Sequence, residues 1–286
     1  MTAAELGLLL LRCRLKDGER PLTHAQFVRL QARVRAAKRH DPRGELTREI
    51  LLELGCGAEE AENILYLLGR QAAMREKLQH WQAQGIGVTT RLSDAYPQVY
   101  LQRLGDDAPA VIFYRGDLSI LQRPTIALVG SRDLREENAR FAEAVGRFAA
   151  ARGLLLLSGG ARGADRTAQE ACLACGGSVA VWTAERLGSK MPQRGLLWLS
   201  EENPDMGFSA QRALARNRLI HAGGSCTFVA QSGMGGGTWS GTTHNLQRGL
   251  SPVCLFDDGS EAARALLAMG AKAVTAATLA DTQIGV

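Results

Sequence analysis

Leu154-Leu155-Leu156-Leu157-Ser158-Gly159-Gly160-Ala161-Arg162-Gly163-Ala164-Asp165 is the stretch whose reading decides the fold. A short, wholly apolar run reads as a strand buried on both faces, and the glycines that follow it read as a loop. Asp165 and Thr167 then fall in the first turn of a helix, where the dipole favours acidic and short polar side chains. Strand, glycine loop and helix in that order form half of a parallel crossover unit.

The same alternation extends in both directions. Thr125 to Val129, Ser178 to Trp182, Leu196 to Leu199, Cys226 to Gln231 and Val253 to Phe256 read as further short strands separated by helical stretches. In one of those helices Phe141, Val145 and Phe148 share a face, and the helix ends before Gly153. The pattern predicts an α/β fold, a parallel sheet with helices on both faces. Upstream, Asp94-Ala95-Tyr96-Pro97 marks a turn and Val111 to Tyr114 a strand ending at Gly116. Before about residue 85 the periodicity is helical, in Glu49 to Leu54 and again in Ala61 to Leu68, with Gly55 and Gly57 between them. Two units are expected: residues 1–88 as a small all-helical domain of helical-hairpin or SAM-like type, and residues 89–286 as the sheet domain. The turn at Gly55 and Gly57 can offer backbone N–H groups to a phosphate, although packing is its default role.

Composition excludes several classes. With 286 residues and 45% hydrophobic content the chain supports an ordinary packed core. No apolar run approaches the roughly 18 residues of a membrane span. Leu8 to Leu11 stops at Arg12 and lacks the basic flank of a signal peptide, so a cytoplasmic protein without membrane contact is expected. The six cysteines are scattered, and Cys172 and Cys175 form a CxxC inside a helical pattern with no second pair, so neither disulfides nor a metal or redox centre is expected, and no cofactor. Net charge is +5, and apart from Lys16, Lys38, Lys77, Lys190 and Lys272 every cation is an arginine, whose planar fork suits phosphate.

Three segments lie where strands end, the place at which open parallel sheets bind ligands. Gly130-Ser131-Arg132 follows the first parallel strand, with a glycine that admits a ligand and two donors beside it. Ser158, Gly159, Gly160, Arg162, Gly163 and Asp165 belong to the second, whose glycines and helix start suggest a phosphate cradle. The third runs from Gln231 to Thr243 and contains Gly233, Gly235, Gly236, Gly237 and Thr238. Upstream of it Arg212, Arg216 and Arg218 cluster around Asn217; such a run also reads as a solvated helix face. None of these has dinucleotide GxGxxG or GK[ST] spacing, which disfavours a conventional nucleotide hydrolase.

In order, "YPQVYLQRL", "PAVIFYRGD", "IALVGSR", "LLLLSGGARGAD", "GGSVAV", "LSEENP", "RNRLI", "GGTWSGTTHNLQRG" and "ALLAMGAKAV" resemble the DNA-processing protein A family (DprA, also called Smf), from Tyr96 nearly to the end. The resemblance implies a Rossmann-like domain that holds single-stranded DNA in a basic pocket, a homodimer, and assistance to a RecA-type recombinase during natural transformation. Carried over, it implies contacts from Ser131, Arg132, Ser158, Gly160, Arg162, Asp165, Arg216, Asn217, Arg218, Gly237 and Thr238, with Lys190 as a further contributor. The carboxylate of Asp165 would cap its helix or orient Arg162 or Arg132, since it repels phosphate. This chain departs from the family's pattern at Gln169, where a histidine is usual, at Gly236-Gly237-Thr238, where a serine-rich turn is usual, and in a shortened loop from Thr183 to Pro192. The segment after Ala273 is too short for the winged-helix domain of some members.

The expectation is therefore a DNA-binding protein without catalysis, gripping phosphates with arginines and loop N–H groups, and with Trp239 as the foremost stacking side chain. The alternative is a sensor or hydrolase of a nucleotide or nucleotide-derived molecule in the same pocket. Gly235-Gly236-Gly237-Thr238 is similar to a phosphoribohydrolase loop, but the glutamate expected after it is absent and His244 and Asn245 stand in that region. A third reading is an adaptor acting through its helical domain and dimer contacts.

Overall fold

The computed structural model describes residues 1–37 and 46–282; Lys38 and the last four residues of the expected sheet domain lie outside that description. Five helices come first: α1 (Ala3–Arg12), α2 (His24–Ala36), α3 (Arg48–Glu53), α4 (Ala58–Gly69) and α5 (Gln71–Ala83). Thr2 and Thr23 close capping boxes on α1 and α2, with Glu5 and Gln26 returning the hydrogen bond, which accounts for both start points. Buried Leu9, Phe27, Leu51, Ile64, Leu67, Met74 and Trp81 form their shared core. Buried Arg70 ties it together, paired with Glu19 and donating to the carbonyls of Leu10, Cys13 and Leu67.

Then follow β1 (Ile86–Thr90), α6 (Gln98–Leu104), β2 (Val111–Arg115), β3 (Thr125–Val129), α7 (Glu136–Ala151), β4 (Leu155–Ser158), α8 (Ala164–Ala174), β5 (Ser178–Trp182) and β6 (Leu196–Ser200). The chain continues through α9 (Ala210–Ala215), α10 (Asn217–Gly223), β7 (Thr227–Val229), α11 (Gly236–Arg248), β8 (Val253–Leu255), α12 (Glu261–Ala268) and β9 (Lys272–Ala273). Among the described residues these strands make one nine-stranded sheet of order β1-β2-β6-β5-β4-β3-β7-β8-β9. The β1–β2 and β2–β6 pairs are antiparallel and the rest parallel. Every parallel strand in the sequence reading is present; β1 and the two-residue β9 are additions to it. β1 straddles residues 88 and 89, where the sequence changes character, and the helical core continues onto Ile86, Val111, Phe113 and Leu187. Trp81 meets Phe113 edge-on with ring centroids 5.2 Å apart.

Successive residues of each central strand serve opposite layers, as the pleat requires. Ala127, Val129, Leu155, Leu157, Ala180 and Trp182 pack toward α6, α10 and α12, while Ile126, Leu128, Leu156, Val179 and Val181 pack toward α7 and α8. From β3 the chain winds through β4 and β5 to β6 on one side, then returns to place β7 on the other. The direction of winding thus reverses at β3, and a crevice opens beyond the carboxyl ends of β3, β4 and β7.

Candidate functional site

Hydrogen bonds join the loops that follow β3, β4 and β7. The Ser131 N–H donates to the Gln231 carbonyl at 3.0 Å, and the Ala164 N–H donates to the Ser131 carbonyl at 3.1 Å. The Gln231 side chain adds a donor bond to the Asp133 carbonyl at 3.1 Å and accepts from the Arg135 N–H at 2.9 Å. Glycine is required at two of these crossings. A Cβ on Gly130 would stand 2.5 Å from the Ala164 Cβ, and one on Gly163, whose φ is 84°, would strike the carbonyl oxygens of Ser131 and Arg132.

Two cavities meet over this junction. The first, about 470 Å³, is lined by Ser131, Arg132, Asp165, Arg216, Asn217, His221 and the turn from Gly233 through Thr238. The second, about 410 Å³, is lined by Gly159, Gly160, Arg162, Arg166, Glu185, Lys190, Trp198 and Phe208. Arg132, Ala161, Ala213 and Arg216 face both. Arg162, Arg216 and Gly237 therefore border one continuous cleft.

Arg216 stands at the junction of α9 and α10, partly buried with its Nε shielded from solvent, and among the described residues its guanidinium has neither a hydrogen-bond partner nor an ion pair. Burial pulls its pKa down, with Asp165 as the largest opposing influence. Burial likewise pushes the Asp165 carboxyl up, against Arg216, the N–H groups of Ala161 and Gly159, and Arg132. Asp165 Oδ2 accepts from the Gly159 N–H at 3.0 Å and the Ala161 N–H at 3.2 Å. Two donors of the expected phosphate cradle are thus occupied by the loop's own carboxylate, which shapes the loop and faces Arg216.

The β7 loop differs. No side chain caps α11, and Gly236 has φ 81°, so the first N–H groups of a 13-residue helix open toward the first cavity. Asn217 fixes this turn by donating to the Gly237 carbonyl at 3.1 Å.

Other expected residues are placed differently. Ser158 is buried and its hydroxyl accepts from Gln169, so it lines neither cavity. Arg162 is exposed and pairs with Asp133 at 2.7 Å. Lys190 pairs with Glu185 and lies 4.8 Å above the Trp198 ring. Arg218 turns away from both cavities into a bidentate pair with Glu201 at 2.7 and 2.6 Å and donates to the Ala215 carbonyl. Trp239 packs on the sheet core, whereas Phe208, 59% exposed, and Trp198 line the second cavity. His244 is exposed and lines neither cavity. At the Gly55 turn, Glu59 and Glu60 occupy the first turn of α4 and oppose a phosphate there.

Arg166, Phe208, Leu214 and His221 line the cleft and are not singled out by the sequence reading. For Arg166 a signal exists: it stands in the first turn of α8, next to the glycine loop that carries Arg162. Phe208 and Leu214 read as core because they are apolar, and His221 sits within the apolar run from Leu219 to Ala222.

Among the described residues no helix is long and apolar enough to cross a membrane. A DNA processing protein DprA from Streptococcus pneumoniae is 30% identical over 204 residues, covering 64% of this chain and 69% of that protein. An X-ray structure of DprA from Streptococcus pneumoniae superposes with a TM-score of 0.76 at 24% identity, over 100% of this chain and 99% of that one. DNA processing protein A from Helicobacter pylori, whose structure is described for its single-stranded DNA binding mode, superposes with a TM-score of 0.56 at 24% identity, over 66% and 90% of the two chains. The profile of the DNA recombination-mediator protein A family matches residues 87–282, from the first strand of the sheet to the last described residue, and the chain belongs to that family.

Proposed function

We propose that the cleft binds single-stranded DNA through its phosphates and carries out no chemistry on it. The observation that carries this reading is Arg216, a partly buried guanidinium without a partner among the described residues, next to the uncapped start of α11. An unpaired buried cation is costly, and an anion that supplies the missing partner recovers that cost as binding energy. Arg132 and Arg216 border both cavities, so one strand crossing from Gly237 past Arg216 meets these two and Arg166 directly, and reaches Arg162 and Lys190 where they are paired with Asp133 and Glu185. The Helicobacter pylori relative's single-stranded DNA binding supports the choice of ligand. Trp198 and Phe208 offer stacking faces. Of the cleft's carboxylates, Asp165 is engaged by two backbone donors and Glu185 by Lys190, which supports binding without hydrolysis. The family's recombination-mediator role extends the proposal to a cytoplasmic homodimer that hands its strand to a RecA-type recombinase.

Titration of labelled single strand, duplex and free nucleotides at two salt concentrations tests it. Single strand is expected to bind tightest, with affinity falling steeply as salt rises. A free nucleotide that binds as tightly as the strand would overturn this reading in favour of a small-molecule site.

A further inference from the structure

A further cavity, about 830 Å³, opens at the amino ends of β5 and β6 and shares no lining residue with the two cavities of the cleft. The length of β5, about 13 Å, separates it from them. Arg194 stands exposed in the turn that leads into β6, and among the described residues its guanidinium has no hydrogen bond or ion pair. Arg123, exposed just before β3, donates to Ser178 Oγ at 3.0 Å and has no carboxylate partner among the described residues. Arg162, Arg218 and Lys190, by contrast, are each paired with an acid. The carboxylate that lines this cavity, Asp117, is committed on one side only: Oδ1 accepts from the Ser119 N–H at 2.9 Å and from its hydroxyl at 2.6 Å. Oδ2 is left for a further donor.

Buried Ile120 and Leu196 and half-buried Leu173 give the cavity an aliphatic floor. Gly195 leaves that floor uncovered. Its φ is 78°, and a Cβ there would stand 2.9 Å from the Gly177 carbonyl oxygen and 3.6 Å from Leu173 Cδ2. A matching ligand therefore carries anions, an aliphatic surface and a hydrogen-bond donor. Nucleic acid fits poorly, because no lining residue is aromatic and bases stack on aromatic rings. A small anion engages the guanidiniums alone, and solvent-screened cations hold one charge weakly. A short peptide with acidic and aliphatic side chains supplies carboxylates, apolar surface and backbone N–H groups together. We propose that this cavity docks an acidic, aliphatic segment of a partner protein, with carboxylates on Arg123 and Arg194, an aliphatic side chain on Leu173, and a backbone N–H on Asp117. The partner and a strand in the cleft then occupy opposite ends of the sheet and are held at the same time.

Fluorescence anisotropy on the full chain tests it with a labelled peptide of three Glu-Leu repeats and a second in which glutamine replaces each glutamate. The acidic peptide is expected to bind about tenfold more tightly than its neutral counterpart, and saturating oligothymidylate should leave that affinity unchanged. Arg194→Glu, which breaks no hydrogen bond or ion pair within the chain, should abolish the preference while melting temperature and strand affinity stay at wild-type values. Equal affinity for the two peptides, or an Arg194→Glu protein that keeps the preference, would overturn the docking site. Displacement of the peptide by oligothymidylate would overturn it by moving the contact to the cleft, and displacement by citrate at equal carboxylate concentration would replace it with a small-anion site. Failure of the wild type to bind oligothymidylate would overturn the single-strand reading alone, since the two peptides and Arg194→Glu still decide the docking site.

Discussion

Gly159 and Arg216 share one space: a Cβ on Gly159 would overlap Nη1 of Arg216. The glycine following β4 is therefore the seat of the guanidinium, and the missing side chain lets Arg216 reach from the α9–α10 junction to the border of both cavities.

Gly159→Ala is expected to displace Arg216. The φ of Gly159 is not positive and the obstructing atoms are the far end of the flexible Arg216 side chain, so stability is expected to change by less than about 1 kcal/mol. Strand affinity should fall by about tenfold, since the loss corresponds to one charge-assisted hydrogen bond of about 1.5 kcal/mol. Thermal melting and anisotropy measure the two effects, and unchanged affinity would show that Arg216 does not bind the strand.

Arg216→Ala and Arg218→Ala should separate cleanly although the residues stand two apart. Arg216→Ala should weaken binding to all sequences alike and reduce the magnitude of the salt slope by about one. Arg218→Ala should leave that slope intact and cost about 3 kcal/mol, because the largely buried Glu201 loses its bidentate partner. Salt titrations and urea unfolding of each variant distinguish them; equal slopes would contradict the division.

His221 makes stability depend on acid. Its folded pKa is about 3 against an ordinary 6.5, so between those values the unfolded chain binds the extra proton and stability rises with pH. The contribution is complete above about pH 6.5 and is lost as pH falls, by about 2 kcal/mol from pH 7 to pH 5. Urea unfolding should show this slope in the wild type and a flatter one in His221→Gln; parallel curves would mean that the ring is not buried neutral.

Arg70→Ala should destabilise the protein by about 3–5 kcal/mol, the usual result of stranding one partner of a buried pair, here Glu19. Chemical unfolding measures it. Replacing Arg70 and Glu19 together by methionine should lose less than Arg70→Ala alone, since no charge is then left unpaired.

The central strands were legible because both faces are buried and their residues are continuously apolar: β3 and β5 fall on the expected residues. β1 was not, since an antiparallel strand at the sheet edge, with Gly87 and two threonines, carries no such run. The three glycine loops were visible as loops at strand ends. That the N–H groups of Gly159 and Ala161 serve Asp165 was not, because a glycine-rich turn looks the same whether its donors face a ligand or a neighbouring carboxylate. Among the aromatics, Trp239 beside a glycine turn invites a stacking role, yet it packs on the sheet while Trp198, from a strand, faces the cleft.

Apolar periodicity and glycine placement determined the α/β fold, the parallel strands and the end of the sheet at which the cleft opens, because those signals are local along the chain. Tertiary structure alone decided which cations are available. Arg216 and Arg218 are the same residue type on one helical stretch, but positions two apart point to opposite sides of a helix. One side meets the cleft and the other meets Glu201, and carboxylates that neutralise an arginine, such as Glu201 for Arg218 or Asp133 for Arg162, come from segments that only folding brings near.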